Sequence, residues 1–576
     1  MKVAVIGGGT SGLVTLKYLI QAREYLGCGS VQVYEDAEMV SSKQLTTFSD
    51  FRRPNEPDFL SAASYVRYLE DYCTHFNLWP DINVKTRVLA VKRRFRGHTV
   101  VYETEDGHQA EWDCDAVAVC SGLHVEPNMP EIEGLENVPR VIHSSAFKAR
   151  KQFHSSKTVM IVGSGETGAD ISHLAVTTPN AERVILCHKD GCHFAPKRNP
   201  GPVILRCLRK PDPREPGIPI DISRANMFDT AYVHKILRRN DKFLWDYYNI
   251  YIKCLLFITS GTTLGMDQWI GGISKERDHP SKSGCLLICQ SDFFNKSMEV
   301  CPYINEPYRS KVPGPSLWLY SLRSFFVQTP IADTRGKRVD LAPLPQCFDE
   351  KGTVQFFDNK RPEYDRMQGQ RIRPDMVVMC TGCKNRASHF SVRLKTETML
   401  HIRRLIVRIS IQQPLLPEDE HHYRLRALPD ARINYAVDHE SYAYQLALDI
   451  GSAPGLADIF KHFSWRHVVV SFKLLTLWVF GAHINTKFRL KGPWKWDGAL
   501  DIFTSDEIWQ TVTRRPIVFG HLAVSIIPMS IFGAYQFSAA SIRGIQIIIL
   551  SCNVVVASTA LLGGGASSLR VASNSG

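Results

Sequence analysis

The chain has 576 residues, 44% hydrophobic and 22% charged, with a formal net charge of +12 and a pI near 9.0. That is ordinary for a globular protein of two domains or more, and the basic surplus includes no dense Lys/Arg block interleaved with aromatics, which sets a nucleic-acid role aside. Fifteen scattered cysteines, an odd number, argue against a disulfide framework and for reduced thiols in a cytosolic catalytic part.

The first residues do not read as a signal peptide, since their apolar run starts at once and breaks at Gly7. Val3 to Ile6 reads as a buried strand. Gly7, Gly9 and Gly12 follow, then a helix with Leu13, Leu16, Leu19 and Ile20 on its apolar side. In such a loop the first glycine makes a tight turn and the second lets the backbone approach a pyrophosphate. The third lets the helix pack on the strand. The helix N-terminus offers free amides and a positive dipole to the phosphates. An acidic residue after the next strand accepts ribose hydroxyls, and Glu35, 26 residues beyond Gly9, stands in that place. A carboxylate there suits an adenine dinucleotide without a 2′-phosphate, such as FAD.

Residues 115–122, "DAVAVCSG", read as a strand ending in a small-residue turn. Residues 158–170, "TVMIVGSGETGAD", repeat the strand, glycine loop and helix with Gly163, Gly165 and Gly168. The strand from Arg183 ends in His188 and Lys189. Cations there favour a 2′-phosphate and so NADPH, the other reading being solvated strand-end residues. Residues 374–382, "PDMVVMCTG", form a late strand matching 115–122, with Thr381 and Gly382 in its turn. Two such segments let a chain cross between two nucleotide domains. The expected architecture is therefore α/β, with two Rossmann-like dinucleotide-binding domains. The first part of an FAD-binding domain covers 1–150, an inserted NADPH-binding domain 151–340, and the second part of the discontinuous FAD domain 341–510.

Cys380 and Cys383 form a CxxC, the motif by which flavin disulfide reductases relay electrons. Here the pair straddles the Thr-Gly turn, which favours packing. No metal ligand set appears at zinc spacing. In the tail, 517–537 and 545–563 carry no formal charge apart from histidine, and each is near the roughly 20 residues of a bilayer span. Arg514 and Arg515 precede them and Arg570 follows, which suits a transmembrane hairpin over 515–565 with both ends cytosolic. The expectation is a membrane-anchored protein, at the endoplasmic reticulum, with its catalytic domains facing the cytosol. Residues 467–480, holding Lys473, read as an interfacial or buried segment.

The paired loops, with "FSDF" (48–51), "VDHESYAYQLALDIGSAP" (437–454) and "FRLKGPWKWDGA" (488–499), resemble the flavin-containing monooxygenases. The likeness runs from residue 1 to about 510 and is nearest to fungal enzymes of secondary metabolism, polyene epoxidases included. It implies FAD on the first loop and NADPH on the second. Reduced flavin would capture O2 as a C4a-hydroperoxide and pass one oxygen to a small organic substrate, with no catalytic side chain assigned. It also makes Ser41, Ser42, Lys43 and Gln44 candidates for facing flavin or NADP, the alternative being an ordinary loop. The family pattern FxGxxxHxxx(F/Y) keeps only its second half, His143 to Phe147. The family's Gly-Gly segment is absent, "VQVYEDAEM" passing straight into "VSSKQLTTFSDF", and Val40 falls where the family has its active-site Asn. A disulfide reductase, and a non-catalytic relative without flavin, are the alternatives.

Overall fold

A computed structural model of the chain describes residues 2–20, 25–28, 34–120, 126–189, 192–194, 197–198, 203–204, 219–223, 269–270, 294–295, 297–304, 327–328, 333–384, 425–427, 435–437, 439–463, 468–493 and 495–513. The first domain opens with β1 (Val3–Ile6) and α1 (Thr10–Ile20). Strand β1 lies between two parallel neighbours, β2 (Tyr25–Cys28) and β6 (Ala116–Val119). Between them in sequence, α2 (Lys43–Thr46) is a single turn and α3 (Ala62–His75) a full helix capped by Ser61, whose side chain accepts from the Ser64 amide. Leu13 and Leu16 of α1 meet Tyr68, Leu69 and Tyr72 of α3 in a core that includes Val3. An antiparallel sheet of β3 (Arg87–Arg93), β4 (His98–Glu103) and β5 (Gln109–Cys114) completes this part.

The second domain is a parallel sheet. In spatial order, among the described residues, it runs β11 (Val339–Ala342), β10 (Arg183–Cys187), β9 (Thr158–Val162), β12 (Met376–Met379), β8 (Val141–His143). Its strands are near-continuous apolar runs because both faces are covered. Val159, Met160 and Ile161 are fully buried, as are Val377 and Val378. Helix α4 (Glu166–Thr177) packs Ala169, Ile171 and Leu174 on one face.

This sheet moves the expected domain boundaries. Strand β8 lies before residue 150, β11 straddles residue 340 and β12 lies beyond it, yet all belong to one sheet. The cause is register: Val159 to Val162 pair in parallel with Met376 to Met379, and Val377 to Met379 with Val141 to His143. The late strand at 374–382 is thus built into the second domain.

A third, helical unit contains α5 (His439–Asp449), α6 (Val468–Phe480) and α7 (Asp506–Thr513), with a core of its own from Tyr444, Leu477, Phe503 and Ile508. Helix α6 is the segment read as interfacial or buried. Leu474 to Phe480 are buried in that core apart from half-buried Leu475, while Val469 at the other end is 81% exposed. Among the described residues no helix is long and apolar enough to cross a membrane. The hairpin expected over 515–565 lies outside the described residues.

Candidate cofactor sites

The two glycine loops have the same construction. Gly7 has φ of 122° and Gly163 of 113°, a region L side chains rarely adopt. A Cβ on Gly12 would stand 1.7 Å from the Gly7 carbonyl oxygen, and one on Gly168 would stand 1.9 Å from that of Gly163. Those contacts let each helix start hard against the turn that follows its strand. Above Gly9 and Gly165 a Cβ would meet nothing within 4 Å, so both loops leave open the space where a pyrophosphate approaches. The first helical bonds match as well, Leu13 N–H to Gly9 O and Ala169 N–H to Gly165 O, both 3.0 Å. Each loop also rests on a cysteine at the end of the neighbouring strand. The Cys120 amide donates to Ile6 O at 2.7 Å and the Cys380 amide to Val162 O at 2.8 Å. The residues present therefore fit the phosphates of two dinucleotides.

The strand ends beyond those cysteines meet each other. Strand β7 (Glu126–Pro127) pairs antiparallel with β13 (Cys383–Lys384). The Asn128 amide donates to Gly382 O at 2.9 Å, the Thr381 hydroxyl donates to Asn128 O, and His143 Nε2 lies 2.9 Å from Gly382 O. Thr381 and Gly382 are thus fixed in the crossing between domains, close under the second glycine loop. His143 holds the same turn, its pKa lowered by burial. Neither Cys380 nor Cys383 is in a disulfide. Burial pushes the Cys380 thiol up to about 12, despite a hydrogen bond from Ser144. A disulfide relay needs a stabilised thiolate, and this environment opposes one.

The other expected site residues make the following contacts. Glu35 lies seven residues beyond Cys28, where the described part of β2 ends. Its carboxylate accepts the Arg150 amide at 2.7 Å, its own amide donates to Lys148 O at 2.6 Å, and Arg150 Nη1 stands 3.6 Å from its other oxygen. Tyr34 explains this placement, because its ring packs on the second domain's core and its hydroxyl donates to Asp170 of α4 at 2.7 Å. Lys43 is buried and its ammonium donates to Pro54 O and Glu56 O at 2.7 and 2.6 Å. Gln44 donates to Glu507 Oε1 at 3.2 Å and accepts from Arg52. Ser41 bonds Thr46 within its own turn at 2.9 Å, and the Ser42 amide donates to Asp221 at 2.7 Å. Of these four polar side chains, the Ser42 hydroxyl alone is buried with no hydrogen-bond partner among the described residues. His188 is buried with its ring 3.0 Å from Glu363, which Arg361 also holds at 2.9 Å. Burial raises the Glu363 carboxyl, but its bonds to His188 and Arg361 outweigh that and hold it down at about 2. An imidazole committed to that carboxylate is not presented to a phosphate. Lys189 is exposed at the strand end, as a phosphate-facing cation requires.

Sequence reasoning missed the charges joining the helical unit to the first domain. Asp50 is bound both by Lys17 of α1 and by Arg489, the latter at 3.0 Å. Arg52 makes a two-pronged pair with Glu507 of α7, at 3.1 and 3.2 Å. The signal was present: Asp50 lies in "FSDF" and Arg489 in "FRLKGPWKWDGA", two stretches singled out for their resemblance alone.

Two like-built glycine clamps on parallel sheets, joined by a paired crossing, define a two-dinucleotide oxidoreductase fold. Residues 18–198 match the family described as "Flavin-binding monooxygenase-like". The chain is 39% identical to "Monooxygenase cfoE" of Aspergillus candidus, over 93% of this chain and 97% of that one. It is 38% identical to "Monooxygenase ptmN" of Penicillium ochrochloron, over 89% and 90%, and 37% identical to "Monooxygenase PC-14" of Penicillium crustosum, over 89% and 94%. The chain belongs to the flavin-binding monooxygenase family, and its cofactors are FAD and NADPH. The alignment with the Aspergillus protein runs over 589 positions, more than the 576 residues of this chain, so that relative has residues with no counterpart here.

Proposed function

We propose that FAD sits on the Gly7–Gly12 loop and NADPH on the Gly163–Gly168 loop, and that the enzyme adds one oxygen of O2 to a small organic molecule of fungal secondary metabolism, for example across a C=C bond. The observation that carries this reading is the doubled clamp: two loops open above Gly9 and Gly165, tied together by the β7–β13 ladder. Held there, FAD would supply hydride acceptance from NADPH and activation of O2. The chain's own part is to hold both dinucleotides, align them, and keep water from the reacting centre. Lys189 is the cation set to meet the 2′-phosphate. Purified protein is expected to be yellow and to consume O2 with NADPH. Gly9→Val is expected to lose bound flavin, and Gly165→Val to keep flavin that NADPH no longer reduces. A Gly165→Val enzyme reduced by NADPH at the wild-type rate refutes the assignment.

A second reading, a non-catalytic family member without flavin, draws on one observation: Glu35 is tied to Arg150 instead of standing free at the end of β2. Colourless, well-folded protein would favour it. The disulfide reductase reading has Cys380 against it, and a Cys380→Ser/Cys383→Ser variant is expected to keep its NADPH oxidation.

Attachment to the endoplasmic reticulum membrane through 515–565 belongs to the same proposal and rests on the two uncharged runs. The full chain is expected to stay with membranes in alkaline carbonate, and a chain ending at Thr513 to leave them. Full-length protein released by carbonate overturns it.

A further inference from the structure

Helix α1 presents the first glycine loop's amides, and only one of its ends is anchored by that loop. Its start bears on β1 through the contact of Gly12 with the Gly7 carbonyl. Lys17 lies five residues further on, about 7.5 Å along the axis, while the amides that face a phosphate lie about 4.5 Å the other way. A helix pivoting at Gly12 therefore turns a displacement of about 1 Å at Lys17 into roughly 0.6 Å at the amides, about the whole tolerance of a binding site.

What holds Lys17 is a buried charge cluster. Lys17, Asp50 and Arg489 have side chains 6%, 9% and 15% exposed. The Lys17 ammonium also lies 3.8 Å from the centre of the Phe76 ring and 5.7 Å from that of Tyr72 on α3. Arg489 reaches Ser49 Oγ at 3.3 Å, and the hydroxyl of nearby Thr486 donates to Ser49 O at 3.2 Å. Asp50 sets its carboxylate between two cations that come from opposite ends of the sequence. Without its charge those cations would repel each other in a site with little water to screen them.

We infer that Asp50 is a positioning residue for the flavin site: by pairing with Lys17 and Arg489 together it makes docking of the helical unit (439–513) and seating of FAD on the first loop one cooperative event. This rests on the assignment of FAD to that loop. It follows that FAD tightens the docked unit, that loss of the unit's contact weakens FAD, and that NADP+ affinity is untouched.

The test measures FAD affinity of apoprotein by flavin fluorescence quenching, for wild type, Asp50→Asn, Arg489→Gln and Asp50→Glu. Asp50→Asn and Arg489→Gln are each expected to weaken FAD about tenfold or more, and Asp50→Glu to recover most of the loss. NADP+ affinity stays as in wild type. FAD is also expected to slow proteolysis of the 439–513 unit in wild type and not in Asp50→Asn. A purely structural role would lower apo and holo melting temperatures equally and leave FAD affinity unchanged, and that result overturns the inference. Should Asp50→Asn fail to fold, the apolar set Lys17→Met/Asp50→Leu/Arg489→Met removes the charges without stranding one. If it folds and binds FAD as wild type does, the inference is likewise overturned. Gly9→Val separates the two ideas: flavin binding that survives it removes FAD from the first loop, whatever Asp50 does.

Discussion

Gly12 and Gly168 have no room for a side chain, because in each case the nearest atom is a backbone oxygen that cannot swing away. Gly12→Ala is expected to push α1 off its turn, at roughly 1–3 kcal/mol, and to weaken FAD while NADP+ binding holds. Gly168→Ala is expected to do the converse. Dye-free melting curves and titration with each nucleotide check both. Glu363 is a residue of another kind, a buried carboxylate whose pKa of about 2 lies below its ordinary 4.5. Its stabilising effect, about 3 kcal/mol on that difference, is complete above pH 4.5 and fades as pH falls toward 2. Glu363→Gln is therefore expected to lower the melting temperature clearly near neutral pH and much less at about pH 3. An equal loss at both would show that the charge is not what matters. The glycines were legible in the sequence because a positive φ and a close approach require that residue within a few positions of a strand end. His188 was not, because its partner Glu363 is far along the chain and a strand-end histidine looks the same whether it meets a phosphate or a carboxylate.

At the scale of elements, the same limit appears in the turn 41–47. The family resemblance makes Ser41 to Gln44 candidates for facing a cofactor, an ordinary loop being the alternative. In the structure Gln44 and Arg52 meet Glu507 and Thr511 of α7, more than 450 residues away. Nothing local marks that destination. The Arg52–Glu507 pair is largely buried and two-pronged, so removing one side strands the other. Glu507→Ala is expected to cost roughly 3–5 kcal/mol and to expose α7 to protease, while Arg52→Met/Glu507→Met is expected to be far milder. Equal losses from the single and double changes would mean the pair is ordinary packing. The strand elements show the reverse case. The likeness of 115–122 to 374–382 was visible in the letters, and both do end under a glycine loop, at Cys120 and Cys380. The sheet that the later one joins was not visible, because an apolar parallel strand fits either domain and only register decides.

Among the described residues, the second sheet and its glycine loop lie between β7 and β13, while the first sheet lies before them and the helical unit after. Residues 126–384 expressed alone are expected to fold and to bind NADP+ with near wild-type affinity, because the Gly163 loop, its sheet and Lys189 all lie inside. Failure to bind, in a fragment with native-like circular dichroism, would show that the first domain shapes the second clamp. The alternation of glycine loops made this two-domain plan legible at once. The third unit was not, since its junction consists of single charges scattered among ordinary helices.

That division sets an order on synthesis. Lys17, Asp50 and the stretch that carries Gln44 and Arg52 leave the ribosome early, and Arg489 and Glu507 follow more than 430 residues later. The second domain can close while the first still waits for its partners, with the buried charges of the first facing water or a chaperone until that stretch is made. A chain stopped before residue 489 would thus present a finished second domain beside a first domain with its charges unmatched, a clear mark by which quality control could tell the truncated product from the longer one.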